Sequence, residues 1–161
     1  MMTLTVNTIP ILVERGADYG PAAVALGLVG AGQAVGRLGY PLLAVGGHPR
    51  WRTVLVYAGG AVFAAGLAAV PGPLWLLVVL AVAVGAARGC DTLLRATAVS
   101  DRWGTRNFGA INGRFTLPLT IGGALAPAAG PVVAELVGGY ARMTVVMAVL
   151  IGASAVLAVR T

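Results

Sequence analysis

The feature that most constrains this chain is a long stretch, residues 53–87, that contains no charged residue. A helix needs about 20 apolar residues to cross the roughly 30 Å of hydrocarbon in a bilayer, so this stretch is long enough for nearly two crossings. Pro71, Gly72 and Pro73 interrupt it, and such a cluster of helix breakers forbids one continuous helix. The stretch therefore predicts two antiparallel membrane-spanning helices joined by a tight turn.

Three further apolar segments of similar length accompany these two. Only 10% of the 161 residues are charged and 58% are hydrophobic, whereas about 25% of the residues in soluble domains are charged. The segments are continuously apolar, which favours helices over the alternating strands of a membrane β-barrel. We expect an all-α membrane protein, a single polytopic bundle over residues 1–161 with about five transmembrane helices and a partial N-terminal helix at residues 1–13. The expected spans are residues 21–46, 53–71, 73–90, 110–136 and 140–159.

The arginines between the spans predict the orientation of the chain. On the side of the loop 47–52 the expected topology places seven of them: Arg50, Arg52, Arg88, Arg95, Arg102, Arg106 and Arg160. The opposite side carries only Arg15 and Arg142, together with Glu14, Asp18 and Glu135. Cytoplasmic loops carry the excess of Lys and Arg in membrane proteins. We therefore expect a multi-pass protein of the cell inner membrane or plasma membrane, with its C-terminus in the cytoplasm.

Small residues recur at four-residue spacing on three of the expected spans, where they permit close packing of membrane helices. They are Gly32 and Gly36; Gly60, Ala64 and Ala68; and Gly122, Ala126, Gly130 and Ala134. One interpretation is ordinary helix packing. The other is a sliding surface in a protein that changes shape, which helices rich in Gly and Pro allow. Residues 110–136 contain three prolines, and we expect one kinked span there because neighbouring helices can satisfy the freed carbonyls.

Several short motifs occur in a recognisable order along the chain. They are NTIPILVERG at residues 7–16, PAA at 21–23, GRL at 36–38, FGAING at 108–113, IGGALAP at 121–127 and GGY at 138–140. In this order they resemble the end of helix seven through helix twelve of a major facilitator superfamily transporter. The resemblance is strongest to the monocarboxylate and oxalate/formate branch, and it covers nearly the whole chain.

The resemblance implies a function and a partner. A complete carrier of this kind has twelve helices in two halves, and its substrate site lies between them. The implied activity is transport of a small anionic solute, a carboxylate, by alternating access. The implied partners are the lipid bilayer, the small-molecule substrate, and a missing N-terminal half or another membrane chain. Because the sequence matches only the C-terminal half, we expect a fragment, a truncated frame or a half-size relative.

Arg37 is the charged residue placed deepest in an expected span. It lies about 13 Å along the helix axis from the end expected at residue 46, and a charge at the centre of a membrane helix costs about 2.5 to 3.5 kcal/mol. In the resembling branch, an arginine of helix eight pairs with the substrate carboxylate, and Arg37 matches it. One turn earlier that branch often carries an aspartate, where this chain has Gln33, which cannot titrate. The alternative for Arg37 is a structural or snorkelled arginine.

Three further residues are candidates for substrate binding because the family's helices seven and eleven face the cavity: Asn7, Asn112 and Arg114. The alternative is that each is an interfacial polar residue satisfied by its neighbours. Asp91 follows the third full span, and we expect it to pair with Arg88 or Arg95 at the cytoplasmic boundary. These assignments place all candidate chemistry within or next to the spans.

Other classes of function find no support in the residue pattern. Metalloprotease, hydrolase and nucleotide-binding motifs are absent, so we expect no enzyme. One His and one Cys cannot form a metal cluster, and no cofactor is expected. A net charge of +6 without a basic soluble face does not indicate nucleic-acid binding. The alternative to a carrier is a non-transporting membrane subunit or a truncated remnant that packs against another membrane chain.

Overall fold

The computed structural model describes residues 1–44 and 48–160, and every regular element in them is a helix. In chain order the helices are α1 Met2–Val6, α2 Thr8–Val13, α3 Tyr19–Ala44, α4 Pro49–Ala69, α5 Leu74–Trp103, α6 Phe108–Val137 and α7 Tyr140–Arg160. Five of them, α3 to α7, are long and apolar enough to cross a membrane. The prediction of an all-helical chain with five long apolar segments is confirmed for the described residues. The end expected for the first span, residue 46, lies outside them.

Helix breakers set the connections between these helices. Between α4 and α5, Val70 is extended and Pro73 caps α5, so the uncharged stretch turns back as two helices. After α6, Gly138 has a φ of 79°, and the Gly139 amide donates to the Ala134 carbonyl at 2.7 Å. A glycine in this left-handed conformation is a common helix end. Because the connections are short, successive long helices run antiparallel.

Helix α5 is longer than the span expected from the sequence. The expected span ends at residue 90, whereas the helix continues to Trp103 and carries Arg88, Asp91 and Arg95 inside it. At 1.5 Å per residue, Arg88 lies about 21 Å from the start of α5 and about 22 Å from its end. Arg88 thus lies near the middle of a 30-residue helix, which at about 45 Å is longer than the roughly 30 Å of bilayer hydrocarbon, and its expected position at the cytoplasmic boundary stays a prediction.

The N-terminal apolar segment forms two short helices instead of one partial helix. The break falls at Asn7, which has φ −94° and ψ 21°. Pro10 has no amide hydrogen, so it cannot donate to the carbonyl of Val6, four residues earlier. One hydrogen bond of the helix is therefore missing at the break. Leu4, Ile11 and Leu12 are nevertheless fully buried and belong to the main apolar core. The broken segment is thus an interior element of the bundle.

Helices α3 and α5 form the closest contact in the bundle, and glycine makes it possible. Gly32 and Gly36 of α3 face α5, while Gly85 and Gly89 of α5 face α3. A Cβ atom on Gly85 would lie 2.5 Å from the Val29 carbonyl oxygen, and one on Gly36 would overlap the backbone of the facing helix. The Cys90 thiol also donates to the Gly36 carbonyl at 3.1 Å. Such backbone proximity gives the van der Waals contact that joins membrane helices.

The small-residue stripes expected on the other spans are buried to different degrees. On α4, Gly60 and Ala64 are buried and Ala68 is half-buried. On α6 the buried members are Ala126, Gly130 and Ala134, whereas Gly122 is exposed. The stripe of α6 is therefore packed only over its second half.

At the end of the bundle where α2, α4 and α6 finish, the residues that follow α2 hydrogen-bond to the backbone of two other helices. The Arg15 guanidinium donates to the carbonyls of Ala68 and Val70, both at 3.0 Å. The neighbouring Glu14 carboxylate accepts from the Tyr140 amide, the first of α7, at 2.6 Å. Partial burial lowers the pKa of Arg15, and the Glu14 carboxylate acts in the opposite direction. These side chains satisfy backbone groups that helix termini leave unpaired.

The opposite end, where α4 and α6 begin and α5 and α7 end, is rich in arginine and is called the basic end here. The positive-inside rule predicts that the basic end faces the cytoplasm. With Cys90 replaced by Ser, a cysteine placed at exposed Thr105 of the basic end should resist a membrane-impermeant maleimide in intact cells and react after the cells are opened. A cysteine at exposed Asp18, on the other end, should react in intact cells. Labelling of Thr105→Cys from outside would contradict the orientation.

The glycine contact between α3 and α5 predicts a specific loss of stability. Gly36→Ala should lower the free energy of unfolding by about 1–3 kcal/mol because the added methyl overpacks the interface. Gly30→Ala is the matched control, since it lies on the same helix and its Cβ would meet nothing within 4 Å. Its unfolding free energy should stay equal or rise slightly. Thermal unfolding of both variants in the same detergent measures the difference, and equal stabilities would refute the packing.

Candidate functional site

A buried ion pair lies on α5 and connects to α4. The Asp91 side chain is 7% exposed, and its Oδ2 contacts Arg95 Nη2 at 2.7 Å. Asp91 Oδ1 accepts from Arg95 Nε at 2.9 Å and from the Tyr57 hydroxyl at 2.9 Å. The guanidinium thus holds both carboxylate oxygens in the fork geometry that makes such pairs strong. This is one of the two pairings expected for Asp91 from the sequence.

The spacing of charged residues on α5 explains why they meet. Residues three and four apart on a helix lie on the same face, so Arg88, Asp91 and Arg95 follow one another along a single stripe. The stripe faces the bundle, because Asp91 is buried and both arginines are partly buried. Two cations and one carboxylate leave this stripe with an excess positive charge.

Arg88 is the member of the stripe that lacks a carboxylate. Its guanidinium donates to the hydroxyl of Thr5, a buried residue of α1. Among the described residues it forms no salt bridge, since the ion pair of the bundle joins Asp91 and Arg95. The Asp91 carboxylate is close enough to attract Arg88, and the guanidiniums of Arg95 and, more weakly, of Arg37 on α3 act on it in the opposite direction. A guanidinium that is hydrogen-bonded to a neutral hydroxyl and has two further arginines nearby is electrostatically suited to receive an anion.

Next to this stripe lies an open groove between α1, α5 and α6, which we call the polar groove. Its volume is about 360 Å³, and its polar lining comprises Arg88, Asp91, Thr92, Arg95, Asn112, Thr116 and Thr120. The Thr116 hydroxyl donates to the Asn112 side-chain oxygen at 3.4 Å, which leaves the amide nitrogen of Asn112 available as a donor. The polar groove therefore combines guanidinium, amide and hydroxyl groups along one wall of an otherwise apolar bundle.

Of the five residues proposed from the sequence as substrate ligands, the structure brings one to the polar groove. Asn112 lines it. Arg37 is exposed on α3 and outside the lining, near enough to act on Arg88 through its charge. Gln33 is half-buried, and its backbone is packed against Gly89. Arg114 is exposed on the first two turns of α6 and does not line the groove.

Asn7 occupies a different place, between the broken N-terminal segment and α6. It is 5% exposed, and its amide donates to the Thr3 carbonyl at 2.9 Å. The same amide group lies directly over Gly130, where a Cβ would overlap it. Asn7 therefore fills the space that the glycine leaves and satisfies part of the backbone near the break. Its observed contacts are structural.

Sequence reasoning did not propose Arg88 or Arg95 as site residues, although the signal was present. Their separation from Asp91 by three and four residues is a helical spacing. The charges were interpreted as the end of the span because charged residues usually mark loops between membrane helices. Tyr57 and Thr5, their partners from other helices, carry no signal in the sequence.

Within residues 1–44 and 48–160, no three His, Cys, Asp or Glu side chains come close enough to hold a metal ion. Comparison with known protein families, curated proteins and solved structures found no match to this chain. The five long apolar helices indicate a multi-pass helical membrane protein.

The ion pair makes a testable contribution to folding. Asp91→Ala should lower the free energy of unfolding by about 2 kcal/mol, less than the 3–5 kcal/mol typical of fully buried pairs, because the Arg95 side chain is still 38% exposed. Adding Arg95→Ala to this variant should recover part of the loss, since no unpaired cation is then left. Asp101→Ala, at an exposed position of the same helix, is the control and should change little. Unfolding in detergent measures all four proteins; equal losses for Asp91→Ala and Asp101→Ala would refute the contribution.

Proposed function

We propose that this chain is part of a major-facilitator-type carrier that moves a small carboxylate across the membrane by alternating access. The observation that carries the proposal is the unneutralised positive charge at the polar groove. Arg88 and Arg95 face one carboxylate, Asp91, and Arg37 adds a further cation nearby. Charged side chains within membrane spans are costly and mark substrate or ion pathways.

The openness of the polar groove supports a partner for this chain. Thr92, Thr116 and Thr120 are exposed along it, and the groove also exposes part of Arg88. Polar groups at membrane depth are tolerated where protein or water covers them and not against lipid tails. An N-terminal half, or another membrane chain, placed over α1, α5 and α6 would convert the groove into a water-filled cavity between two halves.

The broken helix near Arg88 is a second line of support. Discontinuous helices near the membrane midplane are common at transporter substrate sites, because their interrupted backbone lines the cavity. The break at Asn7 lies two residues after Thr5, which accepts the hydrogen bond from Arg88. Movement of α1 would change the environment of this arginine.

In the proposed mechanism, the substrate carboxylate binds Arg88 in the polar groove. The anion replaces the neutral Thr5 hydroxyl as the acceptor, so that both partners of the hydrogen bond are charged. Arg37 lowers the energy of the incoming anion through its charge. Asp91 keeps Arg95 occupied, so that Arg88 is the cation presented to the substrate.

A second function is favoured by one observation, the weak burial of α6. Only 17% of its most apolar window is buried in the bundle, less than for any other long helix of the described chain. Because most of α6 is not covered by the rest of this chain, another membrane chain can pack against it. This arrangement is expected of a membrane subunit that transports no solute. In that case the polar groove would be filled by polar side chains of the partner.

Transport in reconstituted vesicles distinguishes the two functions. We expect proteoliposomes containing this chain and a separately supplied N-terminal half of a major facilitator carrier to accumulate labelled lactate. Parallel vesicles without that half measure whether it is required. Arg88→Gln should reduce uptake more than tenfold, because a hydrogen bond to a charged group contributes about 1.5–3 kcal/mol. Arg37→Ala should also reduce uptake, because it removes a cation that attracts the anion. Arg142→Gln, a cation at the opposite end from the basic end, should leave uptake unchanged.

The protein must insert normally for this result to count, so membrane content and thermal unfolding are measured for each variant. Uptake that survives Arg88→Gln and Arg37→Ala in correctly inserted protein would remove anion binding from these residues. Absence of uptake with and without the N-terminal half, for several carboxylates, would favour the non-transporting subunit.

A further inference from the structure

A second cavity adjoins the polar groove, sharing Arg95 and Phe115 with it, and extends to the basic end of the bundle, where α3, α4, α5 and α6 meet. We call it the basic cleft. Its volume is about 180 Å³, and its charged and aromatic lining includes Tyr40, Arg52, Arg95, Asp101, Arg102 and Phe115. The four helices converge here because α3 and α5 end, and α4 and α6 begin, on the same side. The proposed transport function makes no use of this cleft.

The charges of the basic cleft do not cancel. Arg95 is neutralised by Asp91, and the other charged groups of the lining are two cations, Arg52 and Arg102, and one carboxylate, Asp101. In the part of the chain that the structure describes, Arg102 forms no hydrogen bond or ion pair. Guanidinium groups match the oxygens of phosphate in geometry and charge. The lining of the cleft therefore carries an excess of positive charge, which favours an anion.

The surroundings of the basic cleft indicate where it sits in a membrane. Trp51 and Trp103 are both largely exposed, and each is the immediate neighbour of one of the lining arginines, Arg52 and Arg102. Exposed tryptophans at the ends of membrane helices lie at the level of the lipid headgroups. Basic pockets between membrane helices at this level bind anionic headgroups.

We propose that the basic cleft is a binding site for a phosphate group, with Arg52 and Arg102 as its ligands. The phosphodiester of an anionic phospholipid, such as phosphatidylglycerol, is the source that the position at headgroup level favours, and free inorganic phosphate offers the same chemistry from the aqueous side. Bound phosphate would hold the first turns of α4 against the last turns of α5. The site would thus stabilise the basic end of the bundle.

The test is thermal unfolding of the purified chain in a neutral detergent. Three additives are titrated separately: short-chain phosphatidylglycerol, phosphatidylcholine of the same chain length, and inorganic phosphate. We expect phosphatidylglycerol to raise the midpoint of unfolding in a saturable manner and phosphatidylcholine to have no such effect. Arg102→Gln and Arg52→Gln should each weaken the apparent affinity about tenfold, the loss of one charge-assisted contact.

Arg160→Gln is the matched control, because Arg160 is an exposed cation of the basic end that does not line the cleft. It should bind the additive as the wild type does. Saturable stabilisation by inorganic phosphate with the same sensitivity to Arg102→Gln would support the site and identify free phosphate as its source. No stabilisation by either phosphate-bearing additive would overturn the proposal. Equal weakening by Arg160→Gln and Arg102→Gln would also overturn it, since nonspecific attraction to the basic end then explains the binding.

Discussion

The hydrocarbon of a bilayer offers no water to polar groups, and most features of this chain follow from that constraint. Backbone amides and carbonyls are paired within helices, and the ends that remain are closed by side chains such as Arg15 and Glu14. Polar side chains in the apolar interior find protein partners: Asp91 is bound by Arg95 and Tyr57. Arg88 meets this requirement through a neutral hydroxyl, that of Thr5.

Helix α5 carries both the glycine contact with α3 and the stripe of charged residues. One face carries Gly85 and Gly89 and lies against α3 at backbone distance. Another face carries Arg88, Asp91 and Arg95 toward α1 and α4. The tight α3 contact fixes the rotation of α5 about its axis, since turning the helix would drive side chains into the facing backbone. The direction in which the charged residues point is therefore set by residues that carry no charge.

How far the sequence predicts this structure depends on the type of signal. The lengths of the apolar segments, and the cluster from Pro71 to Pro73 that divides one of them, predicted five long helices. This signal is strong because every residue of a membrane-spanning helix has to be compatible with hydrocarbon. The extension of α5 to Trp103 was missed because charged residues were interpreted as a loop, whereas the bundle lets Asp91 and Arg95 neutralise each other inside the helix. The meeting of Thr5 with Arg88 depends on tertiary packing, for which one sequence has no signal. The likeness to half of a major facilitator carrier stays a prediction.

The adjacent positions of Glu14 and Arg15 couple three helices through one short link. Glu14 closes the beginning of α7, Arg15 closes the end of α4, and both follow α2 directly. Inserting or deleting one residue between Val13 and Ala17 would displace both contacts together, because neighbouring side chains share one stretch of backbone. The length of this link therefore sets the axial height of α2 relative to two helices far away in sequence. If α2 moved along the bundle axis, α4 and α7 would have to move with it, or the hydrogen bonds of Glu14 and Arg15 to both helices would break together.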